Sequence, residues 1–134
     1  GIACPPKYNA NAIDEFLIIF LIASKSKGIS YFRNLSELNK KESKRLDIAS
    51  KILNFMGVKN QLKKDSIKIY GNPNLKLNNN ILIKNFMKDH RIFMMCTIAA
   101  LTLGGTWKIK NKNSINSSFP KFLSILKNIG AKIN

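Results

Sequence analysis

Cysteine, histidine and acidic residues are scarce in this chain, and each scarcity disfavours a class of site. The two cysteines, Cys4 and Cys96, lie far apart, and the single histidine, His90, has no ligating neighbours in sequence. This pattern disfavours a metal cluster and a disulfide framework, and it predicts reduced thiols in a cytoplasmic protein. The apolar run at residues 16–23 is too short to span a bilayer, and no signal peptide precedes it. We therefore expect no metal and no membrane segment.

Acidic residues number only seven against 23 lysines and arginines, which gives a net charge of +16. Such a charge invites a nucleic-acid-binding hypothesis. Arginine, however, occurs only at positions 33, 45 and 91, and the aromatic residues are not interleaved with the basic ones as a stacking platform requires. Lysine, isoleucine and asparagine are abundant throughout, as an AT-rich genome would produce. We therefore expect weak, non-specific attraction to polyanions at low salt and no specific nucleic-acid partner.

The apolar content of 45% over 134 residues predicts a folded protein with one ordinary core. Segments with helical and strand-like periodicity alternate, which favours an α/β (α+β) fold with helices packed against sheets. The element order suggests one repeat unit over about residues 1–72 and the next over 73–134. The start at Gly1 suggests a piece of a longer protein. Helices are predicted at 13–26, 41–56, 89–103 and 118–128 with Ser118 as N-cap, a linker at 71–80, and strands at 29–33, 58–62, 66–70, 81–84, 106–110 and 131–133.

The unusual polar residues gather at the predicted starts of three helices. Lys41 and Arg45 are four residues apart, so on a helix they would lie on one face, with Glu42 between them in sequence. Two cations and a carboxylate near a helix N-terminus suit an anionic ligand and a proton transfer. A solvated basic face with local ion pairs explains the same segment taken alone. Asp14 opens another helix and could serve as a second carboxylate for acid and base roles.

The third helix start is Asp89-His90-Arg91. Asp89 is placed near the N-cap, and Arg91 adds a bidentate fork to the free N–H groups of the helix start. Such a combination suits a phosphate or a carboxylate. A lone histidine such as His90 is more often structural than a ligand. Helices in register could point all three starts at one cleft.

Taken together, these segments resemble 5-enolpyruvylshikimate-3-phosphate synthase (3-phosphoshikimate 1-carboxyvinyltransferase), in its C-terminal part. The resemblance covers the whole chain in order, and its motifs are specific in combination. The matching segments are Ile13-Asp14-Glu15-Phe16, Leu38-Asn39-Lys40-Lys41-Glu42-Ser43-Lys44-Arg45-Leu46, Asp89-His90-Arg91-Ile92-Phe93-Met94, Ser117-Ser118-Phe119-Pro120-Lys121-Phe122 and Leu126-Lys127-Asn128-Ile129-Gly130-Ala131-Lys132-Ile133.

The resemblance implies a reaction of the shikimate pathway, which serves aromatic amino acid biosynthesis. The family transfers the enolpyruvyl group of phosphoenolpyruvate to the 5-hydroxyl of shikimate 3-phosphate and releases phosphate, with no metal or organic cofactor. By match to the motifs, Asp14 would hold the 5-hydroxyl and act as base. Glu42 would move the proton at the methylene carbon of phosphoenolpyruvate. Sequence alone leaves open which of these catalytic acids has which role.

The same match assigns binding residues for both substrates. Lys41 would contact shikimate 3-phosphate, together with Asp14, and Glu37 would face the shikimate ring. Arg45 and Arg91 would bind phosphoenolpyruvate, with His90 beside it. Some family members carry lysine at the position of Ser117, so that one contact is in doubt here.

The family's fold implies two domains, each built from three β-α-β-α-β-β units in an inverse α/β barrel-like arrangement. This chain would supply about two units of the C-terminal domain, as a partial domain over residues 1–134. The N-terminal domain, absent from this chain, would bring the remaining anion-binding residues. We therefore expect the chain alone to be inactive and the full enzyme to be a monomer.

Two alternatives lead to a testable prediction. The sister enolpyruvyl transferase acting on UDP-N-acetylglucosamine shares the fold, although the motifs fit the shikimate enzyme better. A basic nucleic-acid-binding module would instead bind DNA with a steep salt dependence that Arg91→Ala leaves unaffected. For the enzyme hypothesis we expect Arg91→Ala, in a complete protein, mainly to weaken phosphoenolpyruvate use. A filter-binding titration over salt and a KM measurement distinguish the two.

Overall fold

A computed structural model describes all 134 residues of the chain. Short 3-10 helices cover Pro6–Tyr8, Ile13–Glu15, Ser36–Lys40 and Lys112–Ile115. The α-helices are α1 (Asn9–Ala12), α2 (Phe16–Lys25), α3 (Arg45–Phe55), α4 (His90–Leu103) and α5 (Phe122–Asn128). The strands are β1 (Ile29–Phe32), β2 (Asn60–Leu62), β3 (Ile67–Tyr70), β4 (Leu77–Ile83) and β5 (Gly104–Ile109).

The first helical stretch is longer and more broken than the predicted helix at 13–26. Helical turns begin at Pro6, and α1 occupies the segment that was predicted as a loop. A 3-10 turn, Ile13–Glu15, then separates α1 from α2. The turn leaves the side chains of Asp14 and Glu15 exposed, while Phe16 immediately after them is fully buried. Two carboxylates thus stand at the surface where a buried helix begins.

The first sheet has three strands in the order β1-β3-β2. Both outer strands run antiparallel to β3, from Ile29 opposite Tyr70 on one side and from Asn60 opposite Ile69 on the other. The predicted hairpin is confirmed as β2 and β3. Since β1 and β2 run parallel to each other, α3 makes the crossover between them.

The second sheet consists of β4 and β5, which are parallel and joined by α4. The strand predicted at 81–84 in fact starts at Leu77, inside the predicted linker. Gly104-Gly105, predicted to be a break, already belongs to β5. At Gly104 φ is +88°, and an added Cβ would lie 2.8 Å from the Leu77 carbonyl oxygen. Glycine is therefore what allows β5 to approach the start of β4 so closely.

Two predictions at the C-terminal end are wrong. The last helix begins at Phe122 with no side-chain cap, so Ser118 is not its N-cap. Pro120 disfavours helical backbone at the residue before it, which delays the start of the helix. The strand predicted at 131–133 does not form, because no neighbouring strand pairs with it. Ala131 and Ile133 instead pack as half-buried side chains against the core.

The buried apolar side chains form one cluster of 29 residues that extends over both sheets and across the 71–80 segment. Phe16, Phe20 and Phe32 form its aromatic centre, with Phe20 and Phe32 ring centroids 5.4 Å apart. The two repeat units remain a prediction, but the elements assigned to them share this core. None of the helices has the length and apolar character that crossing a membrane requires.

One shared core predicts one cooperative unfolding transition. Phe20 is fully buried, whereas Ile22 on the same helix is 53% exposed. We expect Phe20→Ala to lower the free energy of unfolding by about 3–5 kcal/mol through the cavity it leaves. Ile22→Ala, the matched control, should cost about 0.5 kcal/mol or less. Urea titrations followed by circular dichroism measure both, and two separate transitions in the native chain would contradict a shared core.

Candidate functional site

Helix α3 begins four residues later than the sequence predicted, because the Asn39 side chain occupies its N-terminus. The Asn39 Oδ1 atom accepts hydrogen bonds from the backbone N–H of Leu46 at 3.1 Å and of Asp47 at 3.4 Å. Its Nδ2 atom donates to Asp47 Oδ1 at 3.0 Å. With the free N–H groups satisfied in this way, residues 41–44 remain a loop. Lys41 has extended backbone, so it does not lie above Arg45 on a helix face as predicted.

Arg45, the first residue of α3, is the centre of the site. Its side chain is only 2% exposed, and each of its three nitrogens meets a different carboxylate. Nε donates to Asp89 Oδ2 at 2.8 Å, Nη1 to Asp14 Oδ1 at 3.3 Å and Nη2 to Glu42 Oε2 at 2.5 Å. A buried guanidinium requires such partners, since leaving it unpaired costs several kcal/mol.

Asp89 holds Arg45 from below and is fully buried. Its Oδ2 atom also accepts from Ser43 Oγ at 2.8 Å. Its Oδ1 atom accepts from the backbone N–H of Arg91 at 2.9 Å and of Ile92 at 3.4 Å, which confirms Asp89 as the N-cap of α4. Burial alone would raise the pKa of Asp89, but the hydrogen bonds from Arg45 and Ser43 outweigh it and hold this pKa below its ordinary value of 3.8. Asp89 is therefore ionised at neutral pH.

The start of α4 brings a second arginine to the same region. Arg91 is half-buried, and its Nη1 atom lies 3.3 Å from Glu15 Oε1. His90, beside it, is half-buried and makes no side-chain hydrogen bond. The 3-10 turn at Ile13–Glu15 thus touches both arginines, Arg45 through Asp14 and Arg91 through Glu15. The three predicted helix starts do meet at one place.

The remaining predicted residues divide between this cluster and the surface around it. The Lys41 Nζ atom lies 3.8 Å from Asp14 Oδ1, so Lys41 belongs to the cluster. Glu37 does not join it: its carboxylate is exposed and pairs with Lys40 at 3.1 Å. Ser117 lies exposed in the turn before α5.

Three contributors were not assigned a site role from sequence. Ser43 and Asp89 support Arg45 from inside the fold, and Glu15 pairs with Arg91. The N-cap position of Asp89 was a signal that this side chain is fixed. Its contact with Arg45 spans 44 residues of sequence, and only the packing of α3 against α4 creates it.

The cluster gathers four of the seven acidic residues of the chain around three cations. Asp14 and Glu42 are about half exposed, at 48% and 55%, on either side of the guanidinium. This arrangement offers two solvent-accessible proton acceptors beside two arginines that can bind an anion. No three histidine, cysteine, aspartate or glutamate side chains are arranged to hold a metal ion.

Larger grooves exist elsewhere on the molecule. One of about 400 Å³ lies between α4, β5 and the C-terminal residues and is lined by Trp107, Leu123 and Ile133, among others. None of its lining residues belongs to the Arg45 cluster. Its walls are mostly apolar, which does not suit the binding of a small anion, so we regard the cluster as the functional site.

Comparison with known proteins agrees with this assignment. The model of the family described as EPSP synthase (3-phosphoshikimate 1-carboxyvinyltransferase) matches residues 9–126. The chain belongs to the EPSP synthase family. A 3-phosphoshikimate 1-carboxyvinyltransferase from Ruthia magnifica is 36% identical over 134 residues, which is all of this chain and 30% of that enzyme. The chain thus spans about a third of the length of the curated relatives it matches.

Solved structures give the same result for the fold. An EPSP synthase from Acinetobacter baumannii superposes with a TM-score of 0.90 at 29% identity, covering 100% of this chain and 31% of that one. The enolpyruvyl transferase NikO from Streptomyces tendae gives a TM-score of 0.68 at 17% identity, covering 90% of this chain and 26% of that one, which shows a shared fold only. The predicted α/β fold of the enolpyruvyl transferases is thereby confirmed. Family membership also favours the shikimate enzyme over the sister transferase and the nucleic-acid module.

The lowered pKa of Asp89 predicts a pH dependence of stability. Because the folded pKa lies below the unfolded one, the ionised carboxylate stabilises the fold above about pH 4, and this contribution is lost as the pH falls through the lowered pKa. Asp89→Asn should be less stable than the native chain at pH 7 by about 3–5 kcal/mol. The difference should shrink in acid. Urea unfolding from pH 7 to pH 2 measures it.

Asp65→Asn is the matched control, since Asp65 is an exposed acid in the β2–β3 turn. Its stability curve should follow that of the native chain. If the Asp89→Asn curve ran parallel to the native one down to pH 2, the ionised Asp89 would not be the stabilising group.

Proposed function

We propose that this chain forms part of the C-terminal domain of an enzyme that transfers the enolpyruvyl group of phosphoenolpyruvate to the 5-hydroxyl of shikimate 3-phosphate. The observation that carries the proposal is the Arg45 cluster, in which two half-exposed carboxylates flank one buried guanidinium. The motif residues of the family and the geometry of the cluster agree on the same side chains.

In the proposed addition step, the 5-hydroxyl oxygen bonds to C2 of phosphoenolpyruvate and its proton passes to Asp14. The methylene carbon C3 gains a proton from Glu42 and becomes a methyl group. In the elimination step, C3 loses a proton to Glu42 and the C2–O bond to phosphate breaks. General acid–base catalysis of this kind supplies roughly 10²–10⁴-fold in rate.

The position of Lys41 supports this division of roles. Lys41 lies 3.8 Å from Asp14, so the lysine assigned to shikimate 3-phosphate and the acid assigned to its hydroxyl are neighbours. Glu42 contacts the opposite nitrogen of Arg45, on the side that we assign to phosphoenolpyruvate. Glu37, directed at Lys40 in this chain, would face the shikimate ring only after breaking that exposed pair.

Arg45 and Arg91 would bind the phosphate and carboxylate of phosphoenolpyruvate, with His90 beside them. In the ligand-free chain, Asp14, Glu42 and Glu15 occupy their outer nitrogens. The substrate therefore takes the place of carboxylates on the same guanidinium atoms. Each charge-assisted contact contributes about 1.5–3 kcal/mol, and the displaced carboxylates become free to accept protons.

The rest of the site would come from residues outside this chain. The chain spans 30% of the length of its Ruthia relative, and half a cleft holds only some of the contacts with two anionic substrates. We therefore expect the chain to be inactive by itself. An N-terminal domain would close the site, and the complete enzyme would act as a monomer.

The test is phosphate release from phosphoenolpyruvate and shikimate 3-phosphate by this chain mixed with the N-terminal part of a related synthase. We expect release from the mixture, no release from either part alone, and a loss of about 10²-fold or more on Glu42→Ala. Asp65→Asn serves as the control and should leave the rate unchanged. Unchanged release with Glu42→Ala would refute the role of this acid.

A further inference from the structure

The Asp89 carboxylate connects the two arginines of the proposed site. One oxygen, Oδ2, accepts from the Arg45 Nε atom, and the other, Oδ1, accepts from the backbone N–H of Arg91. Asp89 is fully buried and lies outside the reach of any ligand that occupies the cleft. It therefore touches the arginines without touching substrate.

Fixing Nε fixes the whole planar guanidinium. Because the group is rigid, a bond at Nε and burial of the side chain direct Nη1 and Nη2 to the opposite edge, toward Asp14 and Glu42. The Ser43 hydroxyl adds a second donor to the same Asp89 oxygen and limits its movement. On the other side, the bond to the Arg91 N–H sets where the first turn of α4 begins, and hence where the Arg91 side chain starts.

We propose that Asp89 is a positioning residue that sets the Arg45 guanidinium and the Arg91-bearing turn at a fixed spacing, so that one small dianion can bridge both. The identity of that dianion as phosphoenolpyruvate rests on the proposed function. The positioning itself rests on the two bonds of Asp89 and is testable without any turnover.

Two substitutions separate this role from simple capping of α4. Asparagine and serine are both good N-cap residues, so Asp89→Asn and Asp89→Ser keep an acceptor for the N–H groups of Arg91 and Ile92. Neither keeps the charged acceptor for Arg45: the amide presents either a donor or a neutral oxygen, and the serine hydroxyl is too short to reach. A capping residue would tolerate both changes, whereas a positioning residue would tolerate neither.

The chain contains only three arginines, at positions 33, 45 and 91, so its side-chain Nε–H groups give three signals in a nitrogen–proton NMR spectrum. In the native chain, the Arg45 Nε–H should exchange with water far more slowly than that of exposed Arg33. Exchange of Arg45 as fast as Arg33 would overturn the proposal without any variant. In Asp89→Asn and Asp89→Ser, the Arg45 signal should move and lose this protection.

Titration with millimolar phosphoenolpyruvate completes the experiment. In the native chain and in the Asp65→Asn control, the Arg45 and Arg91 signals should move together with one dissociation constant. In the two Asp89 variants, that constant should rise about tenfold or more. Native positions and native affinity in both variants would overturn the positioning role. If the variants lose the protection of Arg45 but no arginine signal responds to phosphoenolpyruvate in any chain, the positioning role stands and the assignment of the ligand fails.

Discussion

The burial of one guanidinium constrains the whole site. Arg45 begins α3 inside the protein, where its charge must be met by carboxylates. Asp89 meets it from the start of α4, Asp14 from the turn before α2, and Glu42 from the loop before α3. Three segments that are distant in sequence therefore converge on one side chain. If Arg45 were at the surface, nothing would oblige those segments to meet.

The three carboxylates do different work because they differ in exposure. Asp89 is fully buried, ionised and bonded on both oxygens, so it can only hold its neighbours in place. Asp14 and Glu42 are about half exposed, so they can exchange partners and protons with a ligand. A chain with a net charge of +16 has concentrated most of its few acids here. The result is a site whose arginines are neutralised until an anion displaces the acids, which favours a dianion over a weaker competitor.

Much of the site could be predicted from the sequence, but not its construction. Lys41, Glu42 and Arg45 stood out as a motif, yet the helix that was expected to align them starts only at Arg45, because the Asn39 side chain caps it from a distance of six residues. The contact between Asp89 and Arg45 depends on how two helices pack, which no local pattern reports. The resemblance named the family, and the roles of the individual residues remain predictions.

The fold shows the same division. The long apolar helices and the β2–β3 hairpin were visible as periodic patterns. Strand β4 was missed at its start, because Asn78, Asn79 and Asn80 favour turns and become a strand only through the parallel partner β5. The strand expected at 131–133 had a strand-like sequence but has no partner. In both cases pairing, which is a tertiary property, decided the outcome.

A double-mutant cycle between Arg45 and Asp89 tests most directly whether this pair organises the site. The free energy of unfolding would be measured in urea for the native chain, Arg45→Met, Asp89→Asn and the double variant. Each single change leaves a buried charge without its partner, and the double change removes both charges. We expect the double variant to be more stable than the sum of the single losses implies, by about 1–3 kcal/mol. Losses that add to within about 0.5 kcal/mol would show that the two side chains are energetically independent, and the site would then need another centre.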